Sequence, residues 1–426
     1  MTTRTVLIAA AVAAMSVTPL QAQTPERPAP AAGTYVDPVA GVTVDEAVRL
    51  ALEREPSLGG ARAGIDAARG MRLQAGLRPN PTASFMQQKE QGGPGAETRV
   101  ELRWPLDLFR RDARVSVATH AIEATRFGVS DAERLLAAAV RLQYGNAAEA
   151  VRRLQVLTEL AEATSRQHQL LSARVDEGAD RPLDRDILTV ELRRIEAERE
   201  LLAGRVEEEI YELKRLLGMR ASEPLAIRDT LEVLVQKEAA SPLESAAAAP
   251  RADILAADAR VGAADARVDL AKREGRFDAS LFGAYMRMDA AFMPEGPSHQ
   301  AAAGVMVMLP VRNRNQGGIA VAEAGRASAA ADADAVRLAA GAEVAAARAR
   351  EARARRALAI YSGEALALAA RNLDVVRQIY ALGRATVFDV IAEQQRYLDI
   401  ERAYTSALKE AYDARQDLRR ALGEVL

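Results

Sequence analysis

The chain has 426 residues, 57 basic against 59 acidic, no cysteine and only 4% aromatic residues. Without cysteine there is no disulfide, thiolate metal site, cysteine nucleophile or lipidated N-terminal cysteine. Without a basic excess there is no electrostatic case for a nucleic-acid surface.

Residues 1–22 read as a secretory signal. Arg4 supplies the positive start, Val6 to Met15 the apolar stretch, and Ala22 a small residue before cleavage at Gln23. The apolar part is too short to span a bilayer. Residues 23–42, with Pro25, Pro28, Pro30 and Pro38, read as an extended Pro/Ala-rich segment. Val44 to Glu53 follows as an amphipathic helix capped by Thr43. A second helix, about 57–77, ends before Pro79-Asn80-Pro81.

Two strands come next. Glu97 to Trp104 alternates without a fault, with Thr98, Val100, Leu102 and Trp104 on one face and Glu97, Arg99, Glu101 and Arg103 on the other. Its partner spans roughly Thr82 to Lys89, joined through Gly92-Gly93-Pro94-Gly95. From Arg110 to Glu177 there are 68 residues without proline, or roughly 100 Å as one helix. Ala147, Ala150, Leu154, Leu157, Ala161, Thr164, His168, Leu171 and Val175 follow 3-4 spacing, the seam of a left-handed supercoil. Gly178 is placed to take a left-handed cap. Asp184 begins a return helix that ends near Gly218.

The second half repeats the first at an offset of 205 residues. Pro105 matches Pro310, Gly178 matches Gly383, and Asp184 matches Asp389. The offset predicts strands at about 276–290 and 299–309, joined through Pro294-Glu295-Gly296-Pro297. It continues the helix seam as Ala359, Ser362, Leu366, Ala369, Leu373, Val376 and Tyr380. The resulting domains are repeat 1 at 43–218, a linker at 219–249 that packs around the waist with the first helix, and repeat 2 at 250–426.

No long uncharged apolar run follows the signal, so a membrane crossing by the mature chain falls to its strands. Strands of eight to eleven residues suit a tilted crossing. Four cannot close a barrel, and open edges cannot sit in lipid. The strands therefore close by oligomerising or belong to a soluble sheet within a periplasmic coiled-coil scaffold.

The chain resembles the TolC-like outer-membrane efflux proteins. The resemblance rests on Val42-Thr43-Val44-Asp45-Glu46-Ala47 and Ala51 to Leu58, then Leu309-Pro310-Val311-Arg312-Asn313-Arg314-Asn315-Gln316-Gly317, then Tyr380 to Val390. The Asn-Arg-Asn-Gln-Gly stretch looks most like the branch serving heavy-metal resistance-nodulation-division (RND) pumps. The resemblance implies a mainly α chain with a small β part. Three protomers would close a twelve-stranded transmembrane β-barrel over a tunnel of long coiled-coil helices. It further implies a homotrimer in the outer membrane of a Gram-negative bacterium, reaching into the periplasm. It would be a passive exit duct that docks a periplasmic adaptor and an inner-membrane RND pump, with heavy-metal cations as cargo and drug efflux or type I protein secretion as alternatives.

Under that resemblance, Gly178, Arg181 and Asp184 with Tyr380, Gly383, Arg384, Thr386 and Asp389 form two tip turns that dock the adaptor and gate the entrance. Plain turn chemistry also explains them: glycine for the cap, aspartate for the restart. Three copies of Asp389 could ring a pore and attract cations. The family's second aspartate, three positions on, is here Ala392. Glu97, Arg99, Glu101 and Arg103 are candidates for the barrel lumen. Met286, Met288, Met306 and Met308 lie at strand spacing, as a soft-metal ladder or as packing side chains. Arg287 and Asp289 would prefer the lumen, which sends Met286 and Met288 outward. His120, His168 and His299 are too scattered for a metal site within one protomer. No phosphate loop, HExxH or GxSxG is present, so neither catalytic residue nor cofactor is expected.

Overall fold

The computed structural model describes residues 35–89, 91, 95–240, 250–289 and 297–424. The expected signal, most of the extended segment, nearly all of both strand connectors and the Ala246–Ala249 run lie outside the described residues.

Helix α1 (Val44–Arg54) starts with a complete capping box. Thr43 Oγ1 accepts from the Glu46 N–H, and the Glu46 carboxylate accepts from the Thr43 N–H. Helix α2 (Pro56–Gly76) leads into β1 (Thr82–Lys89), and β2 (Ala96–Pro105) leads into α3 (Arg111–Asp176). The return helix α4 (Pro182–Leu216) is followed by α5 (Leu231–Ala240). The second repeat then runs α6 (Ala252–Glu274), β3 (Asp278–Met288), β4 (Ser298–Met308), α7 (Gln316–Ile360), a π turn (Tyr361–Ala365), α8 (Leu366–Ala381) and α9 (Val387–Leu422). No described helix is long and apolar enough to cross a membrane.

The sheet is antiparallel in the order β1-β2-β3-β4. Among the described residues the outer edges of β1 and β4 have no strand partner. Below it, α3 packs against α2, α4, α6 and α9, and α7 against α6 and α9.

The waist holds the largest apolar cluster, built around Tyr144, Val48, Leu213, Ile227 and Tyr412. The Tyr144 hydroxyl donates to the Val42 carbonyl at 2.8 Å and accepts from the Arg228 and Asp229 N–H groups. It thereby pins the 219–230 segment and the entry to α1 onto α3. Gly145 permits close approach of α9, since a Cβ there would lie 2.6 Å from the Tyr412 ring.

The α3 seam is as expected: seven of its nine positions are buried, and His168 and Val175 are half-buried. In the second repeat the extrapolated register fails at its upper end. Ala359 and Ser362 are exposed, whereas Ala369 and Leu373 are buried. Above the π turn the buried positions are Ala333, Ala340, Ala347 and Ala354, a strict period of seven. Below it the seam runs through Leu366, Ala369, Leu373, Val376 and Tyr380, one residue out of phase. The wide turn absorbs that residue. It leaves no mark on the offset, because α3 maps end to end onto Gln316–Ala381.

Candidate functional site

Two places bring the sequence candidates together: the sheet and the hairpin tips.

In the sheet, directly paired residues share a face. One face carries Glu97, Arg99, Glu101 and Arg103, all half-buried and linked as Arg99–Glu97 (3.1 Å) and Arg103–Glu101 (2.9 Å) pairs. The opposite face presents Phe85, Val100, Leu102, Trp104, Leu281, Tyr285, Val305 and Val307, each at least 44% exposed. An exposed apolar surface of this extent marks an interaction with lipid or protein. Its upper limit is one polar row across all four strands, Gln87, Thr98, Arg287 and His299. From His299 to Leu309 the apolar band is roughly 25 Å tall at about 3.3 Å per residue and the usual strand tilt.

The register corrects the placement of the methionines. Met286 lies opposite Arg99, Met288 opposite Glu97, Met306 opposite Ser280 and Met308 opposite Asp278. All four therefore share the charged face, and Arg287 takes the other. Arg287 needs no interior site because it stands above the apolar band, 3.4 Å from Asp289.

At the tips, Gly178 (φ +78°) and Gly383 (φ +70°) are left-handed, as expected. Behind each, the chain closes on itself. The Ala179 N–H donates to the Arg174 carbonyl (2.8 Å), and the Arg384 N–H to the Ile379 carbonyl (3.0 Å). Asp184 does not cap α4 with its side chain; it pairs with Arg181 at 3.2 Å. Asp389 completes a capping box with Thr386, accepting from its N–H (2.8 Å) and hydroxyl (2.7 Å), and these bonds lower its pKa. Arg384 is exposed.

The tips meet through Leu171, Leu188 and Val387, with Tyr380 packed against them. Burial first, then the charges of Asp180 and Asp184, raise the Tyr380 pKa. Further up, Gln394 Nε2 donates to Thr164 Oγ1 at 3.1 Å with both side chains buried. Arg152 joins α3 to Glu401 (2.5 Å) and Thr405 (3.0 Å).

A groove of about 290 Å³ between α3 and α8 is lined by Arg166, Leu170, Arg174, Arg377 and Tyr380 among others. Arg377 Nη2 is buried there without a hydrogen-bond partner, and burial lowers its pKa. Sequence reasoning missed this groove, because its two walls lie some two hundred residues apart. The 205-residue offset could have flagged it, since it aligns Arg377 with Ser172, two positions before Arg174.

The Asn-Arg-Asn-Gln-Gly stretch builds the strand-to-helix turn. Asn315 is left-handed (φ +61°), its N–H donates to Asn313 Oδ1, and its amide reaches the Ala271 carbonyl at 2.9 Å. Among the described residues no group of three or more His, Asp or Glu side chains could hold a metal ion.

A pair of long helical hairpins under a four-stranded antiparallel sheet with two open edges is the fold of the TolC-like outer-membrane channels. Residues 243–424, the end of the linker and nearly all of the second repeat, match the family model described as outer membrane efflux protein. Among solved structures the chain is similar to the outer-membrane protein VceC of the bacterial pathogen Vibrio cholerae. The two are 21% identical with a TM-score of 0.72, over 89% of this chain and 96% of that one. It is similar to CusC, described in a study of folding and transmembrane channel formation (17%, TM-score 0.71, 92% and 93%). It is also similar to the open state of the MtrE outer-membrane channel of Neisseria gonorrhoeae (19%, TM-score 0.70, 91% and 90%). No curated protein matches the chain. The expected fold and family resemblance are thus borne out.

Proposed function

We propose that this protein is the outer-membrane channel of a tripartite efflux system, a passive duct and not an enzyme. The observation that carries the reading is the sorting of the sheet: an apolar face of bilayer height, a charged face behind it, and two open edges. Open edges are untenable in lipid. Pairing β4 of one protomer with β1 of the next removes them, and three copies give twelve strands. Glu97, Arg99, Glu101, Arg103 and the four methionines then line the lumen.

The tip turns at Gly178, Arg181 and Asp184, and at Tyr380, Gly383, Arg384, Thr386 and Asp389, dock a periplasmic adaptor and close the entrance. Tyr380 is the gate's central contact, held between the tip cluster and the Asp180 and Asp184 carboxylates. An inner-membrane RND pump supplies the energy, and the chain binds no nucleotide. Heavy-metal cations are the proposed cargo. What supports that choice is the resemblance of Asn313 to Gly317 to the heavy-metal branch.

Cell fractionation tests the duct. The expected result is a heat-modifiable trimer released from outer membranes only by detergent; a salt-soluble monomer overturns the proposal. Gene deletion tests the cargo. Raised sensitivity to cobalt, zinc, cadmium, copper or silver supports metal export, and raised drug sensitivity alone refutes it.

A further inference from the structure

Three strand–helix junctions converge at the foot of the sheet, and each contributes one arginine to a single cavity. Arg110 comes from the β2–α3 junction, Arg276 from α6–β3 and Arg312 from β4–α7. With Glu274, Pro310 and Asn313 they line a space of about 430 Å³. The junctions are tightly seated: a Cβ on Gly275 would lie 2.3 Å from the Arg314 carbonyl oxygen.

Most cations at this level have carboxylate partners. Arg114 pairs with Asp107 (2.7 Å), Arg273 with Asp269 (2.8 Å) and Arg110 with Asp278 (3.6 Å). Arg276 and Arg312 have none among the described residues. Arg276 rests over the Phe109 ring at 5.7 Å, which is itself edge-on to Phe277. The one carboxylate lining the cavity, Glu274, accepts from the Asn315 amide at 3.3 Å. The lining therefore carries three guanidinium groups against one carboxylate. Two of them are uncompensated, and one is held in place by stacking on an aromatic ring. Guanidinium forks match tetrahedral phosphate oxygens, and the space is larger than a bare phosphate needs.

We propose that this cavity binds a phosphate-bearing molecule, its phosphate held by Arg276 and Arg312 with Arg110 behind them. The site goes beyond the duct reading and is independent of the cargo. The phosphate can belong to a membrane lipid or to a soluble phosphoester, and two probes separate these sources.

The test is calorimetric titration of the purified full-length protein in detergent at low salt, with glycerol 3-phosphate and with short-chain phosphatidylglycerol. Oligomeric state is read separately by light scattering, so a failure of the trimer is not confused with a failure of this site. Saturable binding of either probe is expected, weakened at least tenfold in Arg276→Gln/Arg312→Gln and in the single exposed-loop variant Arg312→Gln. The tip variant Arg384→Gln should bind as the parent does. Binding of only one probe identifies the source and supports the site. Absence of binding by both probes, or unchanged binding in the double and single variants, overturns it.

Discussion

Met286 stands directly across the β2–β3 ladder from Arg99, so the two side chains share one face of the sheet. That pairing sorts the whole wall, because every second residue follows. It predicts that cysteines placed at Arg99 and Met286 react with a charged maleimide, whereas cysteines at Val100 and Val305 react only with a lipid-soluble one. Labelling of Met286→Cys by the lipid-soluble reagent alone would reverse the faces.

The π turn gives a second prediction. One residue of phase is absorbed at Tyr361–Ala365, so deleting Gly363 should restore an unbroken α-helix and rotate α8 by about 100° against α9, on which it packs. Leu373 would leave its buried seat. The tip should loosen, seen as faster amide exchange over 366–390 with the waist unchanged. Unaltered exchange at the tip would show that the turn does not set the seam.

The buried pair Thr164–Gln394 is the clearest polar tie between hairpins. Gln394→Leu alone strands the threonine hydroxyl and should cost about 1–3 kcal/mol, while Thr164→Val with Gln394→Leu should recover most of that loss. Denaturant melts of the four proteins in detergent form the required cycle. Additive losses would mean that the two side chains do not interact.

Close packing at the waist predicts a further loss. Gly145→Ala forces the Tyr412 ring away and should destabilise the protein by about 1–3 kcal/mol. In a Tyr412→Leu background, itself less stable through the lost ring and its hydrogen bond to the Arg141 carbonyl, the further cost of Gly145→Ala should be much smaller. The readout is the thermal midpoint of each variant.

Glu401 supplies a pH dependence. Burial raises its pKa, and Arg152 only partly opposes this. A carboxyl whose folded pKa exceeds its unfolded value binds protons more tightly when folded, so it contributes stability that is fully present below the unfolded pKa and is lost as pH rises through the folded pKa. Between pH 7 and pH 5 the parent should gain more thermal stability than Glu401→Gln. An equal gain in both would remove Glu401 as the source.

The sequence made much of this architecture readable, and for physical reasons. Period-two alternation marks β2 because one side of it meets charge and the other does not. The absence of proline over 68 residues marks α3, and the glycines at 178 and 383 mark the tips because only they take positive φ cheaply. Other features were hidden. The π turn adds no residue to the repeat, so the offset passes over it. The facing of Met286 is not readable locally, because Arg287 has the look of an interior charge while its row in fact lies above the apolar band. The arginine-lined spaces combine residues far apart in the chain, which no local pattern reveals.

In the proposed assembly β4 of one copy pairs with β1 of the next to close a ring of three. The chain has no native cysteine, so engineered pairs report cleanly. Cysteines placed singly at Ala83, Phe85 or Gln87 in β1, each combined with one at Ala301, Ala303 or Val305 in β4, should be oxidised in isolated outer membranes. At the correct register a closed ring gives covalent dimers and trimers and nothing larger. No cross-link at any of the nine combinations, or a ladder extending past the trimer, would contradict it.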